Sequence, residues 1–176
     1  MPEDFVYRHA APTPADALPL SALATQVFLD TYATQGINDA LAREVTTVYS
    51  PEVFERRLRD ADVELLLVTS DGYTVGFVDI AFATRCPVPG VCGAEVFRLY
   101  VQRPFLRRGL GRALIAKAEA SARARGLDTL WLTAWAGNQA ALAFYASLGF
   151  EDIGTTEYVI DGVGHENRVL CKTLTR

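Results

Sequence analysis

One stretch constrains the fold more than any other: a strand pattern that runs into a turn of glycines and arginines and then into a long helix. The strand pattern is AEVFRLYV, the turn is FLRRGLGR at 105–112, and the helix pattern extends from about Gly109 to Arg125. Gly126 then supplies a typical helix stop. Because another strand pattern, LDTLWLTAW, follows at once, we predict a strand–helix–strand unit within an α/β fold.

The rest of the chain supplies the remaining elements of such a fold. The segment PADALPLSALATQVFLDTYA predicts a helix with Asp16 and Ser21 as candidate caps, and SPEVFERRLRD predicts a second with Ser50 as N-cap. VELLLVTS and YTVGFVDIAFAT predict a hairpin, RCPVPGVCG a loop, NQAALAFYASLG a helix, and the two segments around DGVGH a closing hairpin. We therefore predict one α/β domain over residues 1–176, with a mixed, mostly antiparallel sheet flanked by helices.

Charge and cysteine content narrow the classes of function. The formal net charge is −4, which argues against general nucleic-acid binding. However, 103–125 holds seven of the 17 basic residues and one acid, Glu119. A compact polyanion suits such a patch, although a solvated helix face would look the same.

The chain has three cysteines without a CxxC pair, no secretory signal and no membrane-spanning run. These features predict a cytoplasmic protein with free thiols and no metal site.

The glycine and arginine turn predicts a phosphate-binding site. A helix N-terminus presents N–H groups without partners and a partial positive charge. Gly109 and Gly111 allow a ligand to approach the backbone, and Arg107, Arg108 and Arg112 can add charge-assisted hydrogen bonds. The third glycine of a dinucleotide-binding GxGxxG motif and the GKS or GKT of a P-loop are both missing. Spacing alone therefore indicates a phosphate without naming the ligand.

RLYVQRPFLRRGLGRALIAKAEASARARG, followed by LWLTAWAGNQAALAFYASLGFEDIG, resembles the GNAT superfamily of acyl-CoA N-acyltransferases. The resemblance is strong over 95–154, and WLTAWAGNQAALAFYASLGF is most similar to the bacterial polyamine-type members. It implies an acetyl-CoA-dependent N-acetyltransferase.

By this resemblance, acetyl-CoA lies along the strand before the turn and at the turn itself. The backbone of Leu99, Tyr100 and Val101 would hold the pantetheine arm, and Asn138 would contact the pantetheine or the substrate. The pyrophosphate would bind the backbone of six turn residues: Arg107, Arg108, Gly109, Leu110, Gly111 and Arg112. Leu106 departs from the family pattern, which has Gln or Arg there, and this leaves the role of each single arginine open.

The resemblance also implies catalytic residues. Tyr145 would donate a hydrogen bond or a proton to the leaving thiolate, whose pKa of about 8.5 lies below the value of about 10 for tyrosine. Glu95 would act as general base for the attacking amine, with Asp79 as the alternative. Phe97 occupies another place where relatives carry the base, so the identity of the base stays open.

The acceptor is predicted to be a small, polyamine-like amine or the amine of an amino acid or peptide N-terminus. Phe28, Tyr32 and Trp135, with Asp30 nearby, would form an aromatic wall suited to an organic cation, although core packing explains the same aromatics. The alternative function is a non-catalytic acyl-CoA-binding or regulatory module with the same fold. We expect no nucleic-acid or membrane partner, and the resemblance allows a homodimer.

Overall fold

A computed structural model of the chain describes residues 4–174. The strands are β1 (Phe5–His9), β2 (Val63–Ser70), β3 (Tyr73–Ala81), β4 (Ala94–Val101), β5 (Thr129–Trp135), β6 (Glu151–Ile160) and β7 (Val163–Thr173). The helices are α1 (Pro14–Tyr32), α2 (Asp39–Thr47), α3 (Pro51–Arg59), α4 (Leu110–Ala124) and α5 (Gln139–Ser147), and a short 3₁₀ turn spans Arg103–Phe105.

The strands form a seven-stranded sheet in the order β1-β2-β3-β4-β5-β7-β6. β1 pairs antiparallel with β2, β7 pairs antiparallel with both β5 and β6, and β4 runs parallel to β5. The predicted α/β class with a mixed sheet is therefore confirmed. The chain divides into two compact units, one up to Asp79 plus Arg98–Ile115 and one of Ile80–Phe97 plus the chain from Ala116. That the whole chain is one domain stays a prediction.

The first unit packs α1 and α3 around aromatic and branched side chains. Leu20 and Phe28 of α1, Phe54 of α3, and Leu67 and Phe77 of the strands are almost fully buried. The rings of Phe54 and Phe77 meet edge to face with their centroids 6.0 Å apart, an arrangement that stabilises aromatic pairs beyond simple burial. The helix predicted from SPEVFERRLRD is confirmed, with Ser50 at the N-cap position and Pro51 opening the helix.

Two features of this unit differ from the sequence prediction. β1 and α2 were not predicted, because five residues at a sheet edge and a nine-residue polar helix give weak periodic signals. The caps predicted for α1 are wrong, since Thr13 is the N-cap. Asp16 instead accepts hydrogen bonds from the Arg8 guanidinium and from the Ala11 N–H, and the Ser21 hydroxyl donates to the Tyr49 carbonyl.

Both hairpins turn through an Asp-Gly pair. Asp71 and Gly72 have φ of 50° and 82°, and Asp161 and Gly162 have 48° and 77°. Two left-handed residues in succession match the twist of antiparallel strands, and glycine adopts this conformation at least cost. The second turn is tighter than the predicted DGVGH loop, because β7 already begins at Val163.

The second unit covers the two faces of its β5–β7–β6 sheet in different ways. On one face Lys172 of β7 donates to Glu119 of α4 at 2.6 Å. On the other face Cys86, Trp131 and Val169 form an apolar cluster, to which the predicted proline-rich loop contributes Val88. All three cysteines are free thiols. Within residues 4–174 no helix is long and apolar enough to cross a membrane.

Candidate functional site

The turn between β4 and α4 has a backbone shaped by two left-handed residues. Arg107 has φ of 61° and Gly109 has φ of 82°. A left-handed arginine is unusual, because its Cβ crowds the backbone in that conformation. Turns whose residues alternate between right-handed and left-handed backbone conformations direct successive N–H groups into one concave surface that binds anions. Arg107, Arg108, Gly109 and Arg112 are exposed in this turn, so a ligand can reach it from solvent.

Gly109 is the residue from which α4 starts. The Ala113 N–H donates to the Gly109 carbonyl at 3.0 Å, the first backbone bond of the helix. The N–H groups of Leu110, Gly111 and Arg112 precede that bond and have no acceptor within the helix. A glycine at this position has no side-chain oxygen with which to cap them. A Cβ added at Gly109 would meet nothing within 4 Å, so the backbone of the turn is open to solvent at this residue.

The arginines of the turn present their charge to solvent. The Arg108 guanidinium lies 5.2 Å from the centroid of the Phe105 ring, a cation–π distance. Leu106, where the sequence departs from the family pattern, is 53% exposed. It therefore contributes little packing, and the turn keeps its shape through backbone conformation.

The end of β4 is anchored by the side chain of Tyr100. Its ring meets Phe77 with centroids 5.5 Å apart, and its hydroxyl lies 3.3 Å from that of Tyr49. Burial raises the pKa of Tyr100 well above its usual value, so this phenol stays protonated. A Cβ on Gly76 of β3 would lie only 2.9 Å from the Tyr100 carbonyl oxygen. Glycine at that position therefore permits the close approach of β3 to β4.

Asp79, the alternative general base, lies in a buried cluster of ions. Its side chain is fully buried and accepts hydrogen bonds from the Arg57 Nε at 2.8 Å and Nη2 at 2.6 Å, and from the Arg98 Nη1 at 2.9 Å. Both carboxylate oxygens already accept from guanidinium groups, and the side chain has no exposed surface from which an amine could reach it. The geometry therefore disfavours Asp79 as the base.

Sequence reasoning did not identify Arg57 or Arg98 as partners of Asp79. The available signal was the charged residue within AEVFRLYV, because arginine in a strand with apolar neighbours requires a partner when buried. The guanidinium of Arg98 also lies 5.2 Å from the Tyr49 ring centroid and 5.4 Å from that of Phe54.

Glu95 lies where β4 and β5 stop pairing. It is 8% exposed and is opposite Trp131 in the parallel register, after Ala94 opposite Leu130. In the described part of the second unit, Val96 and Phe97 have no register partner in β5, although β5 continues to Trp135. Glu95 is therefore a carboxylate with little solvent exposure, placed where the ladder opens.

Asn138 and Tyr145 lie on α5. Asn138 is its N-cap, with the side-chain oxygen accepting from the Ala141 N–H at 3.1 Å. Capping engages the carbonyl oxygen and not the amide nitrogen. Tyr145 is 9% exposed, and its ring meets that of Phe150 edge to face at 5.6 Å. The buried ring fixes the direction of the phenol, as a proton donor requires.

The aromatics of the predicted wall differ in burial: Phe28 lies in the core, whereas Tyr32 and Trp135 are half-buried. Phe28 is 1% exposed and packs on Tyr32 and Tyr49 with centroid distances of 4.7 and 4.9 Å, so core packing accounts for it. Tyr32 is half-buried, and burial raises its pKa to about 12. Trp135 folds over Gly137, where an added Cβ would lie 2.4 Å from the indole ring.

Comparisons with known proteins agree with this architecture. The model of the Acetyltransferase (GNAT) family matches residues 31–150. The [Ribosomal protein bS18]-alanine N-acetyltransferase of Salmonella typhimurium is 40% identical over 78 residues, which span 44% of this chain and 53% of that enzyme. The chain thus matches about half the length of this curated relative.

Two crystal structures extend the similarity over nearly the whole chain. The PaiA N-acetyltransferase from Thermoplasma acidophilum in complex with coenzyme A is 19% identical with a TM-score of 0.75, covering 97% of this chain and 99% of that one. The ribosomal-protein-alanine N-acetyltransferase from Brucella melitensis is 27% identical with a TM-score of 0.69, covering 96% and 99%. A family match over 120 of 176 residues, on a sheet with this strand order, shows that the chain belongs to the GNAT acetyltransferase family.

Proposed function

We propose that the protein transfers an acetyl group from acetyl-CoA to a primary amine by direct attack of the amine. The observation that carries this proposal is the turn at 107–112, where left-handed Arg107 and Gly109 precede helix N–H groups that have no helical acceptor. A CoA pyrophosphate suits such a turn, because anions bind at helix N-termini and at concave backbone turns. Membership of the GNAT acetyltransferase family supports acetyl-CoA as the ligand.

The remaining cofactor contacts follow from β4 and α5. Leu99, Tyr100 and Val101 supply backbone groups to which the pantetheine arm pairs as an added strand would. The contact of the Tyr100 ring with Phe77 holds its side chain against β3. Asn138 supplies an amide nitrogen at the start of α5, because its carbonyl oxygen is already engaged in capping. Acetyl-CoA supplies the acetyl group as a thioester.

Glu95 and Tyr145 carry the proton transfers. An alkylamine with a pKa of about 10.4 is almost entirely protonated near pH 7, so it must lose a proton before it attacks. The Glu95 carboxylate accepts that proton directly or through one water. The nitrogen then bonds to the acetyl carbon, the carbon–sulfur bond breaks, and the Tyr145 phenol donates its proton to the sulfur. The nitrogen releases its second excess proton, which returns the Tyr145 phenolate to the phenol through solvent.

A peptide or protein N-terminus is the acceptor class that the relatives favour. The Salmonella relative is named for acetylating alanine of a ribosomal protein, and so is the Brucella structure. Both exceed 25% identity, whereas PaiA at 19% supports the fold alone. We therefore place a peptide amine ahead of a small polyamine-like amine.

Turnover and cofactor binding separate an enzyme from a non-catalytic acyl-CoA-binding module. The protein is incubated with acetyl-CoA and a pooled set of peptides and small amines, and thiol release and acceptor mass are measured. An enzyme releases thiol together with a mass gain of one acetyl group. Thermal stabilisation by CoA without thiol release with any amine would instead identify a binding module.

Tyr145→Phe tests the proton donor. We expect kcat to fall at least about tenfold with the dissociation constant for CoA nearly unchanged, because the phenol acts mainly as the sulfur leaves. Tyr73→Phe, which changes a tyrosine that is 76% exposed on the β2–β3 hairpin, is the matched control and should leave both values unchanged. Unchanged turnover in the Tyr145 variant would remove that residue from the chemistry.

A further inference from the structure

A cavity of about 700 Å³ opens to solvent in the first unit. Its walls come from β1, α1, the β2–β3 turn and the segment that follows β4. The volume lies within the range of small-molecule sites. Among the described residues that line it, none belongs to 99–101 or to the turn at 107–112, and neither Glu95 nor Tyr145 is present. The cavity is therefore separate from the residues assigned to cofactor binding and catalysis.

Ser70 brings an unpaired hydroxyl to this cavity. The residue is 6% exposed and lines the cavity, and no described residue forms a hydrogen bond with its Oγ. In the described chain, the fully enclosed side-chain atoms without a partner are Trp131 Nε1 and Asn167 Oδ1, so Ser70 Oγ keeps access to the cavity. Because a polar group in a largely buried position is stabilised by a partner, this hydroxyl favours a polar occupant.

The charges that line the cavity leave one carboxylate uncompensated. Arg8 and Asp16 pair through two hydrogen bonds, so their charges cancel. Asp71 in the β2–β3 turn is the third charged residue of the lining, and no described residue forms an ion pair or hydrogen bond with its carboxylate. One arginine and two aspartates give a formal charge of −1, which favours a cation over an anion.

The remaining walls favour an organic cation over a metal ion. Pro19, Leu23, Val75 and Phe105 present apolar side chains to the cavity, and the methyl groups of an alkylammonium gain free energy by leaving water against such walls. A metal ion such as Ca²⁺ requires about six or more oxygen ligands. Within residues 4–174 no group of three or more His, Cys, Asp or Glu side chains could hold a metal ion.

We propose that this cavity binds a small organic cation, an alkylammonium that also carries a hydroxyl group. Its charge lies near the Asp71 carboxylate, and its hydroxyl forms a hydrogen bond with Ser70 Oγ. The two residues are consecutive, with Cα atoms about 3.8 Å apart, so a molecule with two carbons between nitrogen and oxygen reaches both. The site does not depend on the proposed acetyl transfer, and a cation bound there is a ligand and not the amine that is acetylated.

The test uses choline as the probe, because its quaternary nitrogen cannot be acetylated. Choline is titrated into the nitrogen-labelled full chain at low salt, and amide chemical shifts are followed by NMR. The signals of 70–75 and of Gln102 should shift and saturate, with a dissociation constant in the millimolar range. Dimethylbutanol, in which carbon replaces the choline nitrogen, has the same shape without the charge and should bind at least about threefold more weakly. Equal binding of the two, or no saturable shift at 70–75, overturns the proposal.

Variants assign the binding to this cavity. Asp71→Asn should keep the wild-type Tm, because asparagine suits a left-handed position before glycine, and should weaken choline at least about threefold with no change for dimethylbutanol. Asp161→Asn makes the same change in the other Asp-Gly turn, where φ is 48°, and is the matched control that should bind choline as wild type does. Ser70→Ala should weaken choline and leave tetramethylammonium, which has no hydroxyl, unchanged.

A blocking variant and a competition measurement complete the test. Ala22 is exposed on α1 and lines the cavity, so Ala22→Trp should abolish choline binding at an unchanged Tm. Wild-type affinity for choline in Asp71→Asn or in Ala22→Trp overturns the proposal. Loss of choline binding in saturating CoA would put the probe at the cofactor site and overturn it as well. A chain that acetylates no amine but binds choline in this way contradicts the proposed function alone.

Discussion

Replacing Asp79 with asparagine is expected to destabilise the fold while leaving catalysis in place. Asp79 is fully buried and is the carboxylate between Arg57 and Arg98, whose side chains are 21% and 5% exposed. The cluster of these three side chains carries a formal charge of +1 in wild type and +2 in the variant. The asparagine keeps the shape and loses the charge that offsets two guanidinium groups.

The expected loss follows from the burial of the cluster. Removing one partner of a buried ion pair costs about 3–5 kcal/mol, because the remaining charge is left uncompensated. For a chain of this size, 1 kcal/mol shifts Tm by about 2–4 °C, so we expect a fall of roughly 6–20 °C. Arg57→Met should cost less than half as much, because it leaves Asp79 paired with Arg98 and the cluster neutral.

The assay measures Tm and the pH profile of kcat in parallel, at a temperature at which each variant is folded. Asp79→Asn should have a low Tm with near wild-type kcat and an unchanged profile. Glu95→Gln should do the reverse, with kcat down about 10²-fold and Tm little changed. A wild-type Tm in Asp79→Asn would refute the buried-cluster reasoning. A large fall in kcat with a normal Tm would make Asp79 the base.

Two further predictions concern the turn and the acid limb of stability. Gly109→Glu and Gly111→Glu should each abolish CoA binding in calorimetry, because the added side chain is bulky and its charge repels phosphate. Gly109→Asn is the control and should retain binding, because asparagine tolerates a left-handed φ. Normal CoA binding by both glutamate variants would rule out the phosphate turn. The hydrogen bond from Arg8 holds the pKa of Asp16 in the folded protein below its usual value. The ionised Asp16 therefore stabilises the fold at any pH above the unfolded-state pKa of about 3.9. This stabilisation is lost as the pH falls through the lower pKa of the folded state. The Tm difference between wild type and Asp16→Asn should therefore be constant near neutral pH and shrink below about pH 4, and a difference independent of pH would contradict this role.

Local signals in the sequence were sufficient for most elements. The β2–β3 hairpin, α3, the turn and α4, and α5 with its Asn138 cap were all predicted near their observed bounds. Each has a strong local cause: an Asp-Gly turn, a proline after an N-cap, a glycine stop or an asparagine cap. β1 was missed because a strand at the sheet edge is defined by its partner β2 more than by its own periodicity.

The candidate site shows the same division. Motif spacing was sufficient to select the turn at 107–112 and Tyr145, because backbone conformation and helix phase depend on neighbours in sequence. It could not pair Asp79 with Arg57 and Arg98, because that contact joins β3, α3 and β4 across the fold. It also gave no reason to single out Ser70, one of several polar residues around the first Asp-Gly turn.

The sequence alone determined the α/β class, the family and the position of the turn between β4 and α4, since these depend on patterns within some 20 to 30 consecutive residues. Tertiary structure decided which carboxylate is enclosed by arginines, which lies where two strands separate, and which hydroxyl lines a cavity without a partner. Burial and pairing arise from residues distant in sequence, and in a low-dielectric interior they govern whether a polar group stabilises the fold or is left to meet a ligand.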